Sequence, residues 1–260
     1  MTVLGAVLAL AIGLTLGLLG GGGSILTVPA FVYAIDLEPK RAIAMSLPVV
    51  GGAAAIGALQ HWRRGGIALR SAIPFGAAAM TGAFLGARLA GHLDGRTQLG
   101  LLAVTMLAAA TSMLRSALAA PAAPDTLNAR PTDATAQPRL GAWGLTLIGV
   151  GVGALTGLVG AGGGFLIVPA LVLLGDLPMR EAVGTSLLVI AMNTAAAFAG
   201  YQGAIAIDWG LVLPFGGLTA VGILTGSRFI TRVPQRVLKL AFAALLVLIG
   251  ALILWQNSHR

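Results

Sequence analysis

One block of this chain is written twice, and the duplication limits its fold more than any other feature. Gly17-Leu18-Leu19-Gly20-Gly21-Gly22-Gly23-Ser24-Ile25-Leu26-Thr27-Val28-Pro29 reappears as Gly157-Leu158-Val159-Gly160-Ala161-Gly162-Gly163-Gly164-Phe165-Leu166-Ile167-Val168-Pro169, an offset of 140 residues. The same offset holds without a gap at Asp36/Asp176, Ser46/Ser186, Pro74-Phe75-Gly76/Pro214-Phe215-Gly216, Gly82/Gly222, Gly86/Gly226, Arg88/Arg228 and Arg96/Arg236. A common apolar bias would align Leu and Ala by chance, but not Pro, Asp and Arg in one register.

The repeated unit belongs in a bilayer. Only 9% of the 260 residues are charged, where a soluble domain carries about a quarter. The apolar residues run in blocks of about 17 to 30, the length a helix needs to cross roughly 30 Å of hydrocarbon. Period-2 alternation is absent, which excludes a barrel. The net charge of +8 does not point to nucleic acid, because the basic residues fall singly or in pairs between apolar blocks and so read as orientation signals. With no Cys there are no disulfides and no thiolate metal sites, and the sequence calls for no metal or other cofactor.

The expected fold is an all-α polytopic membrane protein of two tandem repeats: residues 1–116, a Pro-rich linker at 117–140, and residues 141–260. The linker, with Pro121, Pro124, Pro131 and Pro138, reads as a tether outside the bilayer. Each repeat holds a Gly-broken apolar segment (about 3–35 and 143–175) followed by three spans, at about 42–60, 71–91 and 97–114, then 182–200, 209–228 and 237–255. If each broken segment crosses once, seven of the 16 Lys and Arg residues face one side and nine the other, which is no bias. If each is a hairpin returning to its own side, eleven face one side, against Lys40, Arg41, Arg88, Arg96 and Arg260. Cytoplasmic loops accumulate Lys and Arg, so the hairpin reading and inverted repeats are favoured.

The breaks carry the functional signal. Gly costs a helix about 1 kcal/mol relative to Ala, and backbone that leaves a helix inside a bilayer is tolerated only against protein or a watery cavity. Paired broken helices in two repeats point to a transport site. A helix restarting near Ser24 or Gly164 presents free N–H groups and the positive end of its dipole, which suits an anion. The expected site therefore comprises Gly21, Gly22, Gly23, Ser24, Gly162, Gly163, Gly164 and Phe165, helped by Ser46, Thr185, Ser186 and Asn193. A Ser or Thr often bonds back to its own helix, so each hydroxyl weighs less alone than in the matched set. Gly13/Gly17, Gly153/Gly157, Gly82/Gly86 and Gly222/Gly226 have the spacing of helix-packing glycines instead. Arg88 and Arg228, at corresponding span ends, are candidate gating residues, with snorkelling to the headgroups as the plainer role. No Asp, Glu or Lys lies deep in a predicted span, so a carboxylate proton relay has nothing to run on.

The duplicated Gly-rich segment ending in Pro, followed by Ala182-Val183-Gly184-Thr185-Ser186-Leu187, resembles the TauE/SafE sulfite exporter family, also called the toluene sulfonate uptake permease family. The first repeat departs from the pattern with Ala44-Met45-Ser46-Leu47, which implies unequal half-sites. The resemblance implies a permease of the bacterial inner membrane that exports sulfite, sulfoacetate or related organosulfonates. The expected partners are that small anion and the bilayer, with a homodimer as the expected assembly. The competing readings are an anion channel and an intramembrane hydrolase using Ser24 and His61. The hydrolase is weak, because the second repeat has Gly164 and Tyr201 at those positions.

Overall fold

The computed structural model describes residues 3–119, 142–159, 163–175, 177–201, 206–229 and 233–259; Gly162 and most of the expected linker lie outside them. Among the described residues all regular structure is helical. The helices are α1 (Val3–Leu19), α2 (Gly22–Pro29, running on through a π-helical turn at Ala30–Ala34), α3 (Pro39–Arg63), α4 (Leu69–Ala90), α5 (Gly95–Ala119), α6 (Ala142–Val159), α7 (Gly164–Leu173), α8 (Met179–Tyr201), α9 (Trp209–Phe229) and α10 (Gln235–His259). Six of them, α3, α4, α5, α8, α9 and α10, are long and apolar enough to cross a membrane. Pro29, Pro74, Pro169 and Pro214 lie inside α2, α4, α7 and α9.

Local chemistry sets several of these boundaries. Pro39 opens α3, where its missing N–H is no loss. Asp94 caps α5, accepting the Thr97 backbone N–H at 3.1 Å and the Thr97 hydroxyl. Those hydrogen bonds favour the ionised form and hold the Asp94 carboxyl below the usual carboxylate range.

Small residues determine how the helices meet. Gly13 and Gly17 of α1 lie so close to α9 that a Cβ on either would overlap the carbonyls of Thr219 and Ile223. Gly153 and Gly157 of α6 meet Ala79 and Ala83 of α4 in the same way. In both pairs the residue numbers rise together, so α1 runs parallel to α9 and α6 parallel to α4. Contacts this close supply dispersion in a medium that provides no hydrophobic drive between helices. The pairing of α3 with α8 has the opposite sense. Gly51 lies against Thr194, Gly57 against Leu187 and His61 against Gly184, so these two helices are antiparallel.

The interior is filled by Phe31, Phe75, Phe165, Phe215 and Phe242, each fully buried, with the Phe31 and Phe215 rings edge to face at 4.9 Å. The outside carries exposed Leu, Val and Ile, and Trp62, Trp209 and Trp255 are more than half exposed or close to it, as an interfacial aromatic belt requires.

Candidate functional site

The two Gly-broken segments cross. Helix α1 ends with Gly20 in the left-handed region (φ +70°), its N–H donating to Leu16 O at 2.9 Å. Helix α2 then starts at Gly22 with no side-chain cap. In the second segment Gly163 is left-handed (φ +78°) and α7 starts at Gly164, again with no side-chain cap. Non-glycine residues pay strain for those dihedrals. Gly21 and Gly164 touch directly: a Cβ on Gly21 would overlap the Gly164 carbonyl, and a Cβ on Gly164 would stand 2.5 Å from the Gly21 Cα. The first N–H groups of a helix have no intrahelical acceptor, and they sit at the positive end of its dipole. Two such ends meet here.

Polar side chains ring this crossing. Ser24 Oγ donates to Gly21 O at 2.7 Å and lies 3.0 Å from the position of a Gly164 Cβ. Ser186 Oγ donates to Val183 O at 2.8 Å and abuts Gly20. Asn193 packs on Gly163; its Nδ2 donates to Thr156 Oγ1 at 2.8 Å, and Thr156 Oγ1 donates to Gly153 O at 2.9 Å. Asn193 is 1% exposed, yet its Oδ1 has no partner among the described residues. A buried amide oxygen left unpaired costs about 1–3 kcal/mol, which makes it the atom here most in need of a ligand or a water.

Other sequence candidates fall elsewhere. Gly23 packs on Ile12 and Leu16 of α1, so its missing Cβ serves the hairpin rather than a ligand. Phe165 is part of the fully buried core. Ser46 is buried and donates to Ile43 O at 2.7 Å. Thr185 Oγ1 accepts the Ala68 N–H at 3.0 Å and so fixes the α3–α4 connection. Arg88 and Arg228 stand exposed near the ends of α4 and α9, and the Arg88 guanidinium lies 5.0 Å over the Phe84 ring of its own helix. Ser24 and His61 are not paired, since His61 packs against Gly66 and Gly184. Gln98, 1% exposed on α5, was not expected at all; a lone amide in an apolar helix was its only signal.

The family described as "Sulfite exporter TauE/SafE" matches residues 5–253. The chain belongs to this family. A "Probable membrane transporter protein" of Xylella fastidiosa (strain 9a5c) is 30% identical over 251 residues, covering 95% of this chain and 92% of the relative. "Probable membrane transporter protein YdhB" of Bacillus subtilis (strain 168) is 25% identical, covering 94% of this chain and 96% of the relative. No solved structure matches at a significant level. As a TauE/SafE protein the chain is a multi-pass membrane transporter, not an enzyme.

Proposed function

We propose that this TauE/SafE protein exports small sulfur-containing anions, such as sulfite, sulfoacetate or related organosulfonates, across the bacterial inner membrane by alternating access at the α2–α7 crossing. The observation that carries this is the convergence of two uncapped helix N-termini, Gly22 and Gly164, beside the half-satisfied amide of Asn193. Such ends favour negative charge, and the bilayer supplies no competing water. The site consists of the first-turn backbone N–H groups of α2, from Gly22, and of α7, from Gly164, with Ser186 and Asn193 beside them.

The architecture we infer is a pair of inverted repeats, residues 1–116 and 141–260, joined by the tether. Helix directions support it. Helix α6 runs parallel to α4, which starts where α3 ends, and α8 starts at that same end because Gly184 adjoins His61. The α6–α7 segment thus enters and leaves on one side, and the parallel pairing of α1 with α9 returns α1–α2 to the other. Equivalent helices α3 and α8 running antiparallel are what a two-fold axis in the membrane plane produces. The Gly21–Gly164 contact is then the barrier, and parting of the two re-entrant segments opens the N–H groups to one side at a time.

The test is binding of sulfite, thiosulfate, sulfoacetate and taurine to purified protein, followed by counterflow in proteoliposomes. Counterflow of a bound anion supports a carrier, flux without counterflow makes it a channel, and binding of none of the four anions removes the proposal.

A further inference from the structure

The seam between antiparallel α3 and α8 has polar groups at both ends, and the two ends differ. At one end Tyr201 donates its hydroxyl to Gly157 O at 3.4 Å, and Gln98 Nε2 donates to Leu158 O at 3.1 Å and Ala90 O at 3.2 Å while lying 3.5 Å from the Tyr201 oxygen. That end is tied across four helices, and among the described residues the buried side-chain atom left unpaired there is Gln98 Oε1, an acceptor an anion cannot use. At the other end stands His61, 140 residues before Tyr201 and so its counterpart in the repeat. It is 6% exposed, wedged between Gly66 of the α3–α4 turn and Gly184 of α8, and its Nε2 is buried without a partner among the described residues. Most buried side-chain polar atoms are hydrogen-bonded, so this bare ring nitrogen is a place for a ligand or a water.

What lies on either side of His61 gives it a direction. Around the α3–α4 turn stand Arg63 at the end of α3, Arg64 in the turn and Arg70 in the first turn of α4; Arg64 Nη1 donates to Ser227 O at 3.3 Å, and the Ser227 hydroxyl donates to Gln60 Oε1 at 2.6 Å, bracing the turn on α9. Inside it, two residues along α8 from Gly184, Ser186 abuts Gly20 at the break. Helices α4 and α5 carry the chain across and back, so the Arg-rich turn and the start of the tether share one end of the bundle.

We propose that His61 is a substrate-contacting gate at the tether-side end of the α3–α8 seam, its Nε2–H donating to the anion on its way between the Arg-rich turn and the Gly20 break, while Gln98 and Tyr201 latch the opposite end. This rests on the anion-permease reading above. A neutral imidazole can donate in this way without carrying a full charge into the membrane.

The chain has no Cys, so His61→Cys places a single thiol at the gate. In proteoliposomes a membrane-impermeant, sulfonate-bearing methanethiosulfonate should label it from the tether side only, and sulfoacetate should slow the labelling. His61→Leu should raise the transport KM about tenfold to a hundredfold, the size of one hydrogen bond to a charged group, and His61→Gln, which keeps an N–H donor, should recover most of the loss. Should His61→Leu not fold, labelling and the kinetics of His61→Ala, which also removes the donor, decide. Labelling that sulfoacetate leaves unchanged, together with a wild-type KM in His61→Leu, or in His61→Ala where the leucine variant does not fold, overturns the gate and leaves the permease reading standing. Wild-type protein that moves none of sulfite, sulfoacetate or taurine overturns the permease reading and the gate with it.

Discussion

Gly21 and Gly164 meet backbone to backbone, and a Cβ on Gly164 would stand 2.5 Å from the Gly21 Cα with Ser24 Oγ 3.0 Å away. They lie 143 positions apart in a chain whose two halves otherwise pack through longer helices. Because they touch through main chain, neither neighbour can rotate out of the way, and the contact registers any side chain placed there.

Gly21→Ala and Gly164→Ala should each lower thermal stability in detergent, by about 1–3 kcal/mol as for overpacked cores, and impair transport. Gly52→Ala is the control: among the described residues nothing lies within 4 Å of its Cβ position, so it should be neutral or stabilise α3 slightly. Equal melting temperatures for all three would mean that the two breaks do not touch in the membrane.

Asn193 should separate binding from folding. Asn193→Asp keeps the shape but adds negative charge beside the start of α7, so the protein should fold and lose anion transport. Asn193→Leu should fold with an apparent affinity about tenfold to a hundredfold weaker, the range for a hydrogen bond to a charged partner. Transport kinetics together with size-exclusion profiles check both. Wild-type transport by Asn193→Asp would place the anion elsewhere.

The sequence exposed some of this and hid the rest for identifiable reasons. The Gly20–Gly23 run and its copy marked the breaks, since glycines cost a helix too much to accumulate for packing alone. Gly13/Gly17 and Gly82/Gly86 were readable as contact stripes from their four-residue spacing. Partners across the bundle were not readable. Thr185 and Ser186 are adjacent and alike in type, yet one fixes the α3–α4 connection through Ala68 and the other faces Gly20, because neighbours on a helix point about 100° apart. Gly23 looked like a place for a ligand until α1 proved to fill it. Gln98 and Tyr201 lie 103 positions apart in the chain, and nothing local to either announces the other.

Topology is the next test. Antiparallel α3 and α8, with the excess of basic residues on the tether side, predict a cytoplasmic tether and both termini outside. Activity reporters inserted after Asp133 and after Arg260 should report opposite sides of the membrane. The same side for both would rule out inverted repeats.

The driving force follows from what the spans lack. Among the described residues the acidic side chains, Asp36, Glu38, Asp94, Glu181 and Asp208, lie in connections or in the first turn of a helix, so no carboxylate stands at membrane depth to carry protons. Export needs none. An anion leaving a cell held negative inside gains about 2.3 kcal/mol per charge for each 100 mV, enough at about 100 mV to expel a singly charged sulfonate against roughly a fiftyfold gradient. Clamping the potential of proteoliposomes to zero with valinomycin and equal potassium should therefore abolish concentrative transport, while collapsing the pH gradient alone should not. His61→Gln cannot titrate near neutrality but keeps a donor, so it should show the same voltage dependence as the wild type. Loss of transport on collapsing only the pH gradient, restored to independence in His61→Gln, would instead make the imidazole a proton carrier and the transport proton-coupled.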